Sequence, residues 1–135
     1  MLNRRGFVSC AICAATTGLI ATQVNAQAPG GLTRTILQKT EYPGDKYATI
    51  EVMAEIQPNF VVPRHTHPGV ESAFVVEGGG TLSIKGQADR IVKAGDAFQV
   101  TPETPHGVKN GDAKMRLAIT YVVEKDKPLA TPAPE

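Results

Sequence analysis

A chain of 135 residues, 41% apolar and 20% charged, has room for one packed core and reads as globular, not disordered. Its formal net charge is +1, aromatic residues make up only 5%, and no basic stripe runs along it, so a nucleic-acid partner is excluded. Neither a Gly-x-x-x-x-Gly-Lys loop nor a Gly-x-Ser-x-Gly elbow occurs, which removes nucleotide-cradling and acyl-serine chemistry.

The first 26 residues differ from the rest. Arg4 and Arg5 precede an apolar, uncharged run over 10–20, and the segment ends in Val24-Asn25-Ala26, which is the layout of a secretory signal with small residues at its cleavage site. Asn3-Arg4-Arg5-Gly6-Phe7-Val8 resembles a twin-arginine export signal, with an ordinary secretory signal as the alternative. The expected location is the periplasm or the exterior. The apolar run is shorter than the roughly 20 residues that span a bilayer, and no later run is longer, so no membrane span is expected in the mature chain. Cys10 and Cys13 both fall in this segment, so cleavage after Ala26 leaves no thiol and no disulfide. It also lowers the basic count from 14 to 12 against 13 acids, a net charge of −1.

Residues 27–32 read as a linker and 33–124 as one domain. Short runs rich in Val, Ile, Thr, Phe and Tyr, separated by Gly, Pro, Asn and Asp, predict an all-β domain. The clearest strand is 47–56, where Ala48, Ile50, Val52, Ala54 and Ile56 alternate with polar or outward residues. Further strands are predicted at 60–67, 71–77, 81–85, 90–93, 97–100, 107–109 and 114–124. Gly78-Gly79-Gly80 is followed by a strand, so a hairpin turn is expected there instead of a phosphate loop. In the last strand Met115, Leu117, Ile119, Tyr121 and Val123 share one face and read as core. Pro128, Pro132 and Pro134 make 125–135 an expected extended, flexible tail.

All three histidines fall in two short segments. In Pro63-Arg64-His65-Thr66-His67 the imidazoles are two residues apart on a strand and therefore project from the same face. Pro68-Gly69 then breaks the strand and lets Glu71 return beside the pair. His106 follows 39 positions after His67, behind Pro102 and Pro105. A lone histidine is more often a surface or satisfied core residue, but this concentration favours a shared role. Three imidazoles and one carboxylate form an N3O set suited to one divalent Mn, Fe, Co, Ni, Cu or Zn, with coordination positions left open.

His65-x-His67-x3-Glu71-x6-Gly78 resembles the first motif of the cupin superfamily, except that Asn59 stands where a leading Gly is expected. Gly95-x10-His106-x3-Asn110 resembles the second, except that Thr101-Pro102-Glu103 replaces its Pro-x-Gly. The motifs lie within 59–110, and the strand pattern extends the likeness over 33–124. The resemblance implies a double-stranded β-helix, a jelly-roll barrel of two facing antiparallel sheets. It also implies one metal on His65, His67, Glu71 and His106, a small-molecule ligand or substrate, and often a homodimer.

Strand parity groups Ala73 and Val75 with Glu71, and Val108 and Asn110 with His106. A mostly apolar pocket follows, with Phe98, Val108, Met115 and Tyr121 as its expected walls. The family implies a site and not a reaction. With every histidine taken as a ligand, proton transfer falls to Glu71, Glu103, Tyr121 or metal-bound water. The leading expectation is a metal-dependent, dioxygenase-like enzyme for a small organic substrate, with Glu71 as ligand and proton acceptor. The alternatives are a periplasmic small-molecule or metal-binding protein without turnover, and an interaction scaffold.

Overall fold

The computed structural model describes residues 30–134. The expected signal over 1–26, with Cys10 and Cys13, lies outside them. Ten strands and no helix occur among the described residues. In chain order they are β1 (Leu32–Thr40), β2 (Tyr47–Ile56), β3 (Val61–Thr66), β4 (Gly69–Glu77), β5 (Gly79–Ile84), β6 (Arg90–Lys93), β7 (Ala97–Val100), β8 (His106–Asn110), β9 (Met115–Glu124) and β10 (Thr131–Pro132). The strands form two antiparallel sheets, ordered β1-β2-β9-β4-β7 and β10-β3-β8-β5-β6. This is the all-β double-stranded β-helix that the motifs implied.

The core follows from matched alternation. Ala48, Ile50, Val52, Ala54 and Ile56 of β2 stand directly opposite Val123, Tyr121, Ile119, Leu117 and Met115 of β9. All ten are buried. A slip of one residue would turn one stripe to solvent, so the register is fixed by hydrophobic burial of about 1.5–3 kcal/mol for each large side chain. Val62, Leu82, Ile84, Val92 and Val108 of the second sheet close the core from the other side.

Two expectations are corrected. Gly78-Gly79-Gly80 is not a hairpin turn: β4 belongs to the first sheet and β5 to the second, so Gly78 is the corner at which the chain changes sheets. Gly78 has φ 74°, and a Cβ there would lie 2.4 Å from the carbonyl oxygen of Lys114. Only bare backbone fits where strands of both sheets converge.

The tail is also not free. Thr131 and Pro132 pair with Thr66 and His65, the Ala133 amide donates to the Arg64 carbonyl at 3.0 Å, and Leu129 packs on the core. The edge of β3 offers unpaired backbone groups, and a proline-rich segment is compatible with an edge position.

Candidate metal centre

β3 and β8 pair so that His65 stands directly opposite His106, after a bulge that interrupts the ladder beyond Val62. His67 follows the end of β3. Glu71 comes from β4 in the other sheet, between Val100 of β7 and Tyr121 of β9. The site therefore lies between the two sheets and closes only when they face each other. One ligand atom from each of His65, His67, Glu71 and His106 lies within 4.8 Å of the others. The imidazole centroids are 4.4–5.1 Å apart. His67, Glu71 and His106 are buried and His65 is half-buried.

Each imidazole is held from behind. Nδ1 of His65 donates to the Pro63 carbonyl at 2.8 Å, that of His106 to Thr104 at 2.9 Å, and that of His67 to Leu129. A carbonyl only accepts, so each Nδ1 carries the proton and each Nε2 turns a lone pair forward. Glu71 Oε2 nevertheless lies 2.8 Å from Nε2 of His67 and 3.3 Å from Nε2 of His106. In these tautomers neither nitrogen can donate, and both are buried without a hydrogen-bond partner. Acceptors facing acceptors are costly in a dry interior. A cation among them satisfies the whole set, and the residues thus fit a divalent metal ion.

Burial would raise the Glu71 carboxyl, and its pKa falls to about 2 only where Nε2 of His106 and His67 carries a proton and donates to it. Burial, reinforced by the neighbouring His106, lowers His65 to about 4, against the smaller opposing effect of its bond to Pro63. Glu71 is thus ionised and His65 neutral at pH 7, as metal ligation needs. Tyr121, whose ring centroid is 4.7 Å from that of His67, is raised above its ordinary range by burial and then by the charge of Glu71.

A cavity of about 30 Å³ adjoins the cluster. Phe98, Val108 and Tyr121 line it, together with His65, Glu71 and His106. Met115 does not line it. It is fully buried in the core, opposite Ile56. Glu103 is exposed and also absent from the lining. Arg34 of β1, absent from the expected site, lines the cavity. Its signal in the sequence was a charged residue in phase with buried Leu32. Asn110 is a structural lock: its amide nitrogen contacts the Ile56, Gln57 and Ala113 carbonyls at 2.8–3.1 Å.

The two departures from the motifs leave the backbone intact. Asn59 and Glu103 have φ of 60° and 56°, the left-handed conformation that glycine would supply. Glu103 keeps its turn beside the site, with its amide donating to the His67 carbonyl at 2.9 Å.

Comparison with known proteins gives the same architecture. A family model described as "Cupin domain" matches residues 52–123. No curated protein matches the sequence. An uncharacterized conserved protein with a double-stranded β-helix domain from Klebsiella pneumoniae is similar in structure, with a TM-score of 0.62 and 19% identity over 81% of this chain and 90% of that one. DMSP lyase DddQ from Ruegeria pomeroyi superposes with a TM-score of 0.64 and 18% identity, over 85% of this chain and 59% of that one. For the polyketide cyclase RemF from Streptomyces resistomycificus the values are 0.61 and 22%, over 78% and 72%. At such identities the likeness shows a shared fold.

Proposed function

Because this chain belongs to the cupin domain family, whose model matches residues 52–123, we propose that it is an exported metal-dependent enzyme acting on a small organic substrate, with an oxygenase-like reaction. The observation that carries this reading is the convergence of four acceptors, on His65, His67, Glu71 and His106, at one point inside an apolar barrel. A divalent ion of the Mn-to-Zn series held there supplies Lewis acidity or, for a redox-active ion, electron transfer.

The remaining chemistry belongs to the chain. The carbonyls of Pro63, Thr104 and Leu129 fix the imidazoles, so no histidine is left as a free base. Glu71, ionised and buried, is the available proton acceptor, while Tyr121, kept neutral, is a hydrogen-bond donor. Phe98 and Val108 exclude bulk water from the cavity. Export rests on the signal-like segment at 1–26, and with it a periplasmic or secreted location.

The test is elemental analysis of the mature protein, followed by oxygen uptake and product analysis with phenols, diketones and organic acids. Metal-dependent oxygen uptake, lost in His106→Ala, is expected. Turnover without oxygen uptake would overturn the oxygenase assignment in favour of elimination or cyclisation, the kinds of reaction named for the DMSP lyase and polyketide cyclase neighbours. A second reading, a binding or metal-holding protein without turnover, is favoured by the small free volume beside the cluster. It predicts ligand-dependent thermal stabilisation with no product.

A further inference from the structure

The two sheets differ in the faces they turn outward. On the second sheet Lys93 of β6 and Lys109 of β8 are exposed, and β5 between them adds Thr81 and Ser83. On the first sheet the outward positions carry small or apolar side chains: Met53 of β2, Ala118 and Thr120 of β9, Ser72 and Phe74 of β4, and Ala97 of β7. The bulge in β1 between Ile36 and Gln38 adds Leu37 to this face. Leu37 and Phe74 are 56% and 48% exposed. Among the described residues that line the shallow groove across the face, Glu51 alone is charged. The patch ends at Arg116, which lies 3.2 Å from Glu55 and 3.9 Å from Glu77, a polar rim of the kind that borders an interface.

Size and symmetry say what covers this face. Five strands about 4.8 Å apart, over a length such as 49–55, make a surface of about 24 by 23 Å, or roughly 550 Å² before the relief of the side chains is counted. That approaches the roughly 800 Å² of accessible surface that each partner contributes to a stable complex, and apolar patches of this extent are rarely left bare on a monomer. β9 is the central strand, flanked by β2 and β4. The register sets Met53, Ala118 and Phe74 in one row and Glu51, Thr120 and Ser72 in the next. A twofold axis running along β9, between two facing copies, lays β2 of each on β4 of the other. Met53 then meets the partner's Phe74, a favourable thioether–ring contact, and Glu51 meets the partner's Ser72. Ser72 accepts from Nε2 of Gln99 at 2.8 Å, so its own hydroxyl hydrogen is left to donate to that carboxylate. Ala118 and Thr120, on the axis, are small enough for the sheets to approach to about 10 Å. An axis across the strands would instead lay β2 on β2 and bury Glu51 against apolar or like-charged side chains.

We propose that the outer face of the first sheet is covered by a second copy of this chain, packed sheet to sheet about a twofold axis that runs along β9.

The test is sedimentation equilibrium of the mature chain between about 1 and 100 µM, with circular dichroism to verify folding. The wild-type protein is expected to be dimeric in this range and Ala118→Arg monomeric with an unchanged spectrum. Ser72→Asp sets a carboxylate against the partner's Glu51 and is expected to weaken the dimer at least about tenfold, and adding Glu51→Lys to it is expected to recover most of that loss. A wild-type monomer throughout the range overturns the proposal whether or not any variant folds. A folded Ala118→Arg that stays dimeric overturns the choice of face. An unchanged affinity in Ser72→Asp, or a loss that Glu51→Lys does not recover, overturns the axis.

Discussion

Nδ1 of His67 donates to the carbonyl oxygen of Leu129, 62 residues further along the chain. A ligand imidazole is thereby oriented by the tail, which pairs with β3 at Thr66 and His65 immediately afterwards. Partners of this kind typically change metal affinity by about 10–100-fold. A chain ended after Lys127 is therefore expected to hold zinc about 10–100-fold more weakly while keeping its β-sheet circular dichroism. Chelator competition on the two proteins measures the difference, and equal affinities would show that the tail is only a cover for the edge of β3.

Glu71→Gln separates the roles of the carboxylate. Without metal, Glu71 Oε2 faces the Nε2 lone pairs of His67 and His106, and a glutamine amide can donate where the carboxylate cannot. The metal-free variant is expected to be more stable than wild type by about 1 kcal/mol. Its metal content should fall to background. Urea denaturation in the presence of chelator and elemental analysis check the two halves. A destabilised metal-free variant would mean that a protonated histidine pairs with Glu71.

The cluster of His65, His67, Glu71 and His106 was legible in the sequence because its spacings are short: His65 and His67 lie two residues apart, and Pro68-Gly69 returns Glu71 beside them. The stripe from Ala48 to Ile56 was legible for a similar reason, since burial on one face enforces a period of two. What escaped depended on partners distant in sequence. Nothing in Gly78-Gly79-Gly80 says which sheet the next strand joins. The prolines of the tail read as mobility because its receiving edge, β3, lies about 60 residues earlier. Arg34 was obscured because β1 is mostly exposed and is broken by a bulge between Ile36 and Gln38, which hides the inward phase set by Leu32.

His65 makes metal-free stability depend on pH. Its folded pKa of about 4 lies below the ordinary 6.5, so between these values the unfolded chain takes up a proton that the folded one refuses. Stability is complete above pH 6.5 and is lost as the pH falls towards 4. With 1.36 kcal/mol per unit and a discount for the partial exposure of His65, the loss is about 1–2 kcal/mol. The difference between urea midpoints at pH 7 and 4.5, measured in the presence of chelator, is expected to shrink in His65→Gln, and an undiminished difference would show that another group governs this window.

Glu103 and Gly78 share a left-handed backbone but not its consequences. Glu103 is exposed at φ 56°, where a side chain costs about 1–2 kcal/mol relative to the right-handed region. Glycine removes that strain at the expense of about 0.5–1 kcal/mol of unfolded-chain entropy. Glu103→Gly is therefore expected to be stabilising by up to about 1 kcal/mol, with metal content unchanged because Glu103 meets the site through its backbone amide alone. Gly78→Ala is expected to lose about 2–4 kcal/mol, since the added methyl meets the Lys114 carbonyl at 2.4 Å and the Met115 Cα at 2.9 Å as well as the unfavourable φ. Thermal and urea melts of both variants test the pair. A neutral Gly78→Ala would mean that the two sheets separate easily at this corner, and a destabilised Glu103→Gly would mean that the Glu103 side chain holds the turn.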